Sequence, residues 1–166
     1  MNLYIDNEWY IGGKIFLHSY ATDTSPCYQL WGSQLVRENV VRSLKLAENG
    51  MIFIYGPDIG MIERDFNIRV KQKYICINLI RVFKYLLPSR SSYKLADLEY
   101  DFGIKRQVKK YKENIFTIYK DFHRTGSRQA VLQYNREDVL NLRVLKEIIF
   151  KEYPISKKEL LKLRLN

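Results

Sequence analysis

A chain of 166 residues with 46% hydrophobic residues is long enough for one domain with a real core and ordinary in composition for a folded protein. No apolar run approaches the roughly 18 residues of a membrane span, and the N-terminus lacks a basic, apolar, then small-residue leader, so neither a span nor a secretory signal is expected. Lys and Arg number 28 against 18 Asp and Glu, a formal net charge of +10, which points to an acidic partner and first of all to nucleic acid.

The first third reads as strands. Asn2 to Glu8 alternates, Gly12-Gly13 suits a turn, and Lys14 to Ala21 and Cys27 to Trp31 follow. Ser33 is placed to cap a helix running to about Glu48, with Val36, Val40, Leu44 and Ala47 on one side and Gly50 past its end. Met51 to Tyr55 is a short apolar run bounded by Gly56-Pro57, the pattern of a buried central strand. A helix is expected from Asp58 to about Phe66 and a strand from Val70 to Cys76. Helices then take Ile77 to Leu87, stopped by Pro88, and Lys94 to Phe102, stopped by Gly103. The last long helix runs from about Gln129 to Lys151. Ser156 to Glu159 matches a capping box opening a short basic, Leu-rich helix that packs on the domain or on a second subunit, with a nucleic-acid contact as the lesser option. This order predicts an α/β fold: a mixed five-stranded central sheet with helices on both faces. Cys27 and Cys76 have no CxxC spacing and no nearby histidines, so two reduced, packed thiols in a cytoplasmic protein are expected rather than a disulfide or a zinc site. The thirteen tyrosines offer stacking faces for bases, although packing is the default role for any one of them.

One residue of the last long helix is out of place. At 3.6 residues per turn Val131, Leu142, Leu145 and Ile149 share an apolar stripe, and Asp138 falls on it, one turn after Tyr134. A carboxylate aimed inward must be protonated, paired or bound to a metal. Asp6 and Glu8 share a face of the first strand, and Asp58 opens a helix after the apolar strand. Taken singly, each fits an ordinary structural role, a solvated strand end or a helix cap. Together they can converge at one edge of a sheet, where four carboxylates repel one another unless cations lie between them. Hard oxygen ligands suit Mg²⁺ or Mn²⁺, and two such ions roughly 3.5–4 Å apart serve an in-line phosphoryl displacement.

IDNEW near the N-terminus, IYGPDIGMIERDF in the middle and YNREDVLNLRVL near the end resemble the three motifs of the DEDD exonucleases, which share the ribonuclease H-like fold with polymerase proofreading domains. The last motif is Y-x-x-x-D, Tyr134 to Asp138, as in the DEDDy subtype; His123 does not supply the histidine version, since position 128 is Arg. The likeness to the YprB-type predicted exonuclease domain includes LADLEYDFGIKR as a connecting helix with its loop and spans roughly residues 3 to 149. It divides the chain into a ribonuclease H-like exonuclease domain, residues 1 to 152, and a short basic C-terminal helix, residues 153 to 166.

By this resemblance Asp6, Glu8, Asp58 and Asp138 hold two ions, Asp6 bridging both, and Tyr134 orients the attacking water. With an ordinary pKa of about 10, Tyr134 is a positioning group rather than a base. The chain departs from the pattern at Asn7, in place of an apolar residue between the acids, at Trp9 in place of Thr, and at Tyr55-Gly56-Pro57-Asp58, where the pattern often carries an Asn some residues before a Phe-Asp pair. These positions line the floor for the terminal nucleotide and leave substrate preference open. Trp9 and Tyr10 stack on a base or simply pack.

The run KRQVKKYK, residues 105 to 112, is the densest positive stretch. Charge runs are usually solvated faces, but an acidic edge needs something to attract a polyanion, and Lys105, Arg106, Lys109, Lys110 and Lys112 are the residues expected to contact phosphates. The resulting expectation is a two-metal 3′–5′ exonuclease acting on single-stranded DNA in preference to RNA, alone or as a homodimer. A ribonuclease or structure-selective nuclease on the same scaffold, or a non-catalytic nucleic-acid-binding module, are the competing readings.

Overall fold

In the computed structural model the described residues are 1–10, 12–108, 111, 115–124 and 126–166. Five strands form one sheet: β1 (Leu3–Trp9), β2 (Ile15–Thr22), β3 (Tyr28–Trp31), β4 (Met51–Ile54) and β5 (Ile75–Asn78). Their order is β3-β2-β1-β4-β5, antiparallel through the first three strands and parallel from β1 to β4 and β5. β1 takes the centre because both of its faces are apolar at the start: Leu3, Tyr4 and Ile5 are all fully buried. The chain leaves β1 toward β2 on one side and β4 on the other. The carboxyl ends of β1 and β4 therefore frame the crevice where open α/β sheets bind ligands.

Helices cover both faces. On one, α1 (Arg37–Lys45), α2 (Asp58–Phe66) and α3 (Val70–Lys73) pack Val40, Leu44, Ile59 and Ile62 against Leu3, Ile5, Ile52 and Ile54. On the other, α4 (Leu79–Leu86), α5 (Leu95–Asp101), α7 (Arg128–Glu152) and α8 (Lys157–Lys162) bury Val82, Leu98, Leu142 and Leu160 against Tyr4, Phe53 and Ile77. α6 (Ile115–His123) places Ile118 and Phe122 in a third cluster with Phe16, Leu17 and Val131. The α/β architecture and the mixed five-stranded sheet are those expected from the sequence. Among the described residues no helix is long and apolar enough to cross a membrane.

Three local expectations are corrected. Residues 70 to 73 form a helical turn, not the start of a strand; of VKQK only Val70 is buried, and the ladder to β4 is made by Ile75–Asn78. The next helix consequently begins at Leu79, with the Asn78 side chain accepting from Ile80 N at 3.0 Å. Ser33 lies in a short 3₁₀ turn, Gly32–Gln34, and α1 starts only at Arg37 with exposed Val36 as an N-cap that makes no side-chain bond. α6 is not anticipated from the sequence: among its described side chains the buried apolar ones, Ile118 and Phe122, lie four apart soon after the basic run.

At the C-terminus the capping box forms, Ser156 Oγ accepting from Glu159 N at 3.2 Å and Glu159 Oε2 from Ser156 N at 2.9 Å. Beyond α8 the chain returns to the outer side of β5. There Leu165 N donates to Cys76 O at 2.8 Å, and Arg164 pairs with Ile77. Cys27 and Cys76 are free, and burial pushes both thiols up to about 12.

Candidate metal centre

Strand alternation places Tyr4, Asp6 and Glu8 on the face covered by α7 and Leu3, Ile5 and Asn7 on the face covered by α1 and α2. α7 crosses β1 with Val131, Asn135, Asp138, Leu142 and Leu145 turned inward. One carboxylate oxygen from each of Asp6, Glu8 and Asp138 lies within 4.8 Å of the other two. Glu8 and Asp138 are buried and Asp6 half-buried. Burial and mutual repulsion hold Asp6 and Glu8 well above the usual carboxylate range. Burial also raises Asp138, to about 7, although Arg106 and the Tyr134 hydroxyl favour its ionised form. Three such acids cannot all ionise together without a nearby cation.

Asp58 stands apart from this triad. It is the first residue of α2, follows β4 through Gly56 (φ +146°) and is 1% exposed. Its Oδ1 accepts from both the backbone N and the side-chain Nδ2 of Asn7, each at 2.9 Å. Burial raises Asp58 to about 6 against the opposing effect of these two bonds. Asn7 in turn is steadied by its cross-strand neighbour His18, whose Nδ1 lies 2.7 Å from Asn7 Oδ1 and whose Nε2 lies 3.0 Å from Ser43 Oγ. Because Asn7 commits its nitrogen to Asp58, its oxygen accepts from the imidazole. Burial pulls His18 down to about 3, so the ring is neutral. Asp58 still lines the same cavity as Asp6, Glu8, Asp138 and Tyr134, a space of about 320 Å³.

Asn135 and Arg106 complete the centre. Asn135 is fully buried; its Nδ2 donates to Asp6 Oδ2 at 2.6 Å and reaches Glu8 Oε1 at 3.5 Å, while its Oδ1 accepts from Ser19 Oγ and from Gln29 Nε2. Arg106 pairs with Glu99 through two nitrogens and with Asp138 through Nη2. Its guanidinium lies 5.1 Å from the Tyr134 ring centroid, and Tyr111 meets that ring edge-on at 5.4 Å. Burial and the Asp138 charge push Tyr134 up, so its hydroxyl keeps its proton and acts as a donor.

The remaining positions singled out in the sequence are distributed around this centre. Trp9 is half-buried at the cavity, Lys105 is exposed in the adjoining pocket beside Glu99, and Arg106 lies between the two. Arg106 is thus a buried partner of the acids rather than part of a solvated basic face; Lys109, Lys110 and Lys112 lie outside the described residues. His18, Asn135, Glu99 and Lys94, which also borders the cavity, are not picked out by sequence reasoning, and Asn7 is noted there only as a departure from the motif, not as the partner of Asp58. The Asn directly after Tyr134 and the Asn between the two strand acids were the available signals. The three hard oxygen donors fit a divalent cation of the Mg²⁺ type, with one or more waters completing its shell.

A family model described as RNase_H superfamily matches residues 3–150. No curated protein matches the chain by sequence. Among solved structures, the family B DNA polymerase from the hyperthermophilic archaeon Pyrobaculum calidifontis superposes with a TM-score of 0.69 at 12% identity, covering 90% of this chain and 24% of the polymerase chain. Brucella melitensis NrnC superposes with a TM-score of 0.71 at 13% identity, covering 98% of this chain and 79% of NrnC. This chain therefore spans about a quarter of the polymerase it resembles, and both likenesses concern the fold.

Proposed function

The chain belongs to the RNase_H superfamily, and from that membership we propose that it is a metal-dependent 3′–5′ exonuclease of the DEDDy type, YprB-like in its motifs, that trims single-stranded DNA in preference to RNA. The observation that carries this reading is the convergence of Asp6, Glu8 and Asp138 within 4.8 Å, in one cavity with Asp58 and Tyr134. Mg²⁺ or Mn²⁺, two ions in all, held by these acids would supply Lewis acidity for the attacking water and the leaving oxygen.

The chain's own groups supply the rest. Asn135 fixes Asp6 and Glu8 from the α7 side, and Asn7 fixes Asp58 from the other face of the sheet. Tyr134, protonated and braced between Arg106 and Tyr111, donates toward the water or a phosphate oxygen and orients it. Water adds to the terminal phosphorus, the 3′ oxygen of the preceding nucleotide leaves and takes a proton, and the products are a nucleoside 5′-monophosphate and a strand shorter by one. In this reading Trp9 and Lys94 at the cavity, and Lys105 in the pocket adjoining it, serve the terminal base and backbone.

The test is 5′-labelled single-stranded DNA and RNA incubated with Mg²⁺ or Mn²⁺, wild type beside Asp138→Asn. The expected outcome is a ladder of single-nucleotide steps, faster on DNA, that falls by at least about a hundredfold in the variant. Cleavage at internal or junction positions supports a structure-selective nuclease instead, and binding without cleavage supports a non-catalytic module.

A further inference from the structure

Arg106 carries a feature that charge balance alone does not explain. Its side chain is 5% exposed, in the loop that leaves α5, and it borders both the acidic cavity and the pocket beside it. Nε and Nη2 are taken by Glu99, Nη2 being 2.7 Å from Oε1, and Nη2 also meets Asp138. Nη1 is buried with no hydrogen-bond partner among the described residues. Leaving a donor of a charged group desolvated and unpaired is costly, and a guanidinium serving only as counter-ion to two carboxylates has no reason to bear that cost.

The surroundings hold the group in one orientation. Glu99 is 1% exposed and is itself fixed by Asn141 Nδ2, 2.9 Å from Oε1, across the gap between α5 and α7. The Tyr134 ring supports one face of the guanidinium. A planar fork held by a buried carboxylate and an aromatic ring, with one donor left unpaired in a residue that lines the acidic cavity, suits recognition of a phosphate.

We infer that Arg106 is a phosphate-binding residue, its Nη1 receiving a non-bridging oxygen of the terminal linkage while Glu99 and Asn141 act as positioning residues for the guanidinium. This rests on the nuclease reading, which supplies the phosphate. Asp138 is the second anchor of the guanidinium; were Asp138 to hold a cation, Nη2 would be free for the same phosphate.

The experiment measures binding of thymidine 5′-monophosphate, a product-like phosphate ligand, by calorimetry at saturating Mn²⁺, with Mn²⁺ affinity measured separately. Arg106→Lys keeps the charge and removes the fork. It is expected to weaken nucleotide binding by about tenfold or more while Mn²⁺ affinity stays within about twofold. Glu99→Gln keeps the guanidinium and loosens its orientation; a smaller loss of nucleotide binding is expected, and this variant carries the test if the lysine variant does not fold. Unchanged nucleotide affinity, equal losses of nucleotide and Mn²⁺, or a wild type that takes up Mn²⁺ but no nucleotide each overturn the assignment. Strand trimming by wild type alongside any of these results overturns Arg106 alone. Absence of trimming overturns the nuclease reading itself, and this assignment with it.

Discussion

Asn7 separates two acids on one face of β1 and serves a third from the other. Alternation along the strand is legible in the sequence, but its consequence depends on His18 standing opposite in β2 and on α2 delivering Asp58 to that face. Neither cross-strand register nor the landing point of a helix is written locally. The same holds for Asn135, whose neighbours Tyr134 and Asp138 are visible as a motif while its target, Asp6, lies 129 residues away. The raised acids give a pH prediction. With Asp58 near 6, Asp138 near 7 and Asp6 and Glu8 well above their usual range, the metal-free centre holds protons that the unfolded chain has already released. The folded state then binds more protons than the unfolded one between the ordinary carboxylate range and about 7, so these groups cost stability as pH rises through that window. His18 acts oppositely, its stabilising effect being lost as pH falls from about 6.5 toward 3, so the acids dominate above about 6.5. Cation binding must displace those protons. Mn²⁺ affinity is therefore expected to rise on the order of tenfold or more from pH 5.5 to 7.5 with net proton release, read by calorimetry in buffers of different ionisation enthalpy.

At the scale of elements, periodicity served where burial is one-sided and long. α7 is the clearest case: the stripe through Val131, Asp138, Leu142, Leu145 and Ile149 is buried in the fold as it is patterned in the sequence. Leu142→Ala, 1% exposed in the wild type, is expected to cost about 2–5 kcal/mol by urea unfolding, whereas Val144→Ala on the exposed side costs about 0.5 kcal/mol or less. Where one apolar residue must decide, the pattern misleads. Val70 reads as the opening of a strand, yet the Lys-Gln-Lys that follows it favours a helical turn, and pairing with β4 selects Ile75–Asn78 instead. Among its described apolar side chains α6 buries Ile118 and Phe122, with Phe116 66% exposed, too narrow a stripe to stand out beside a basic run. Ser33 is a good cap in composition, but the chain spends Gly32–Gln34 on a turn before α1 begins.

The molecule as a whole sets an acidic centre within a chain of net charge +10. Lys94 lines the carboxylate cavity and Lys105 the pocket adjoining it, so a polyanion meets positive charge beside the very cavity whose floor repels it. The fold also settles what covers the outer border of the sheet. The returning C-terminal segment occupies Cys76 O and the bridge position at Ile77, groups that on a bare β5 would be free to recruit a foreign strand. Those few residues therefore cover an edge otherwise open to self-association, and Leu165 packs against the cluster that holds Leu3, Ile52 and Ile62. A chain cut after Pro154 is expected to unfold several degrees lower and to form concentration-dependent aggregates in light scattering, whereas lengthening or recoding the tail without touching the Leu165 amide should do neither.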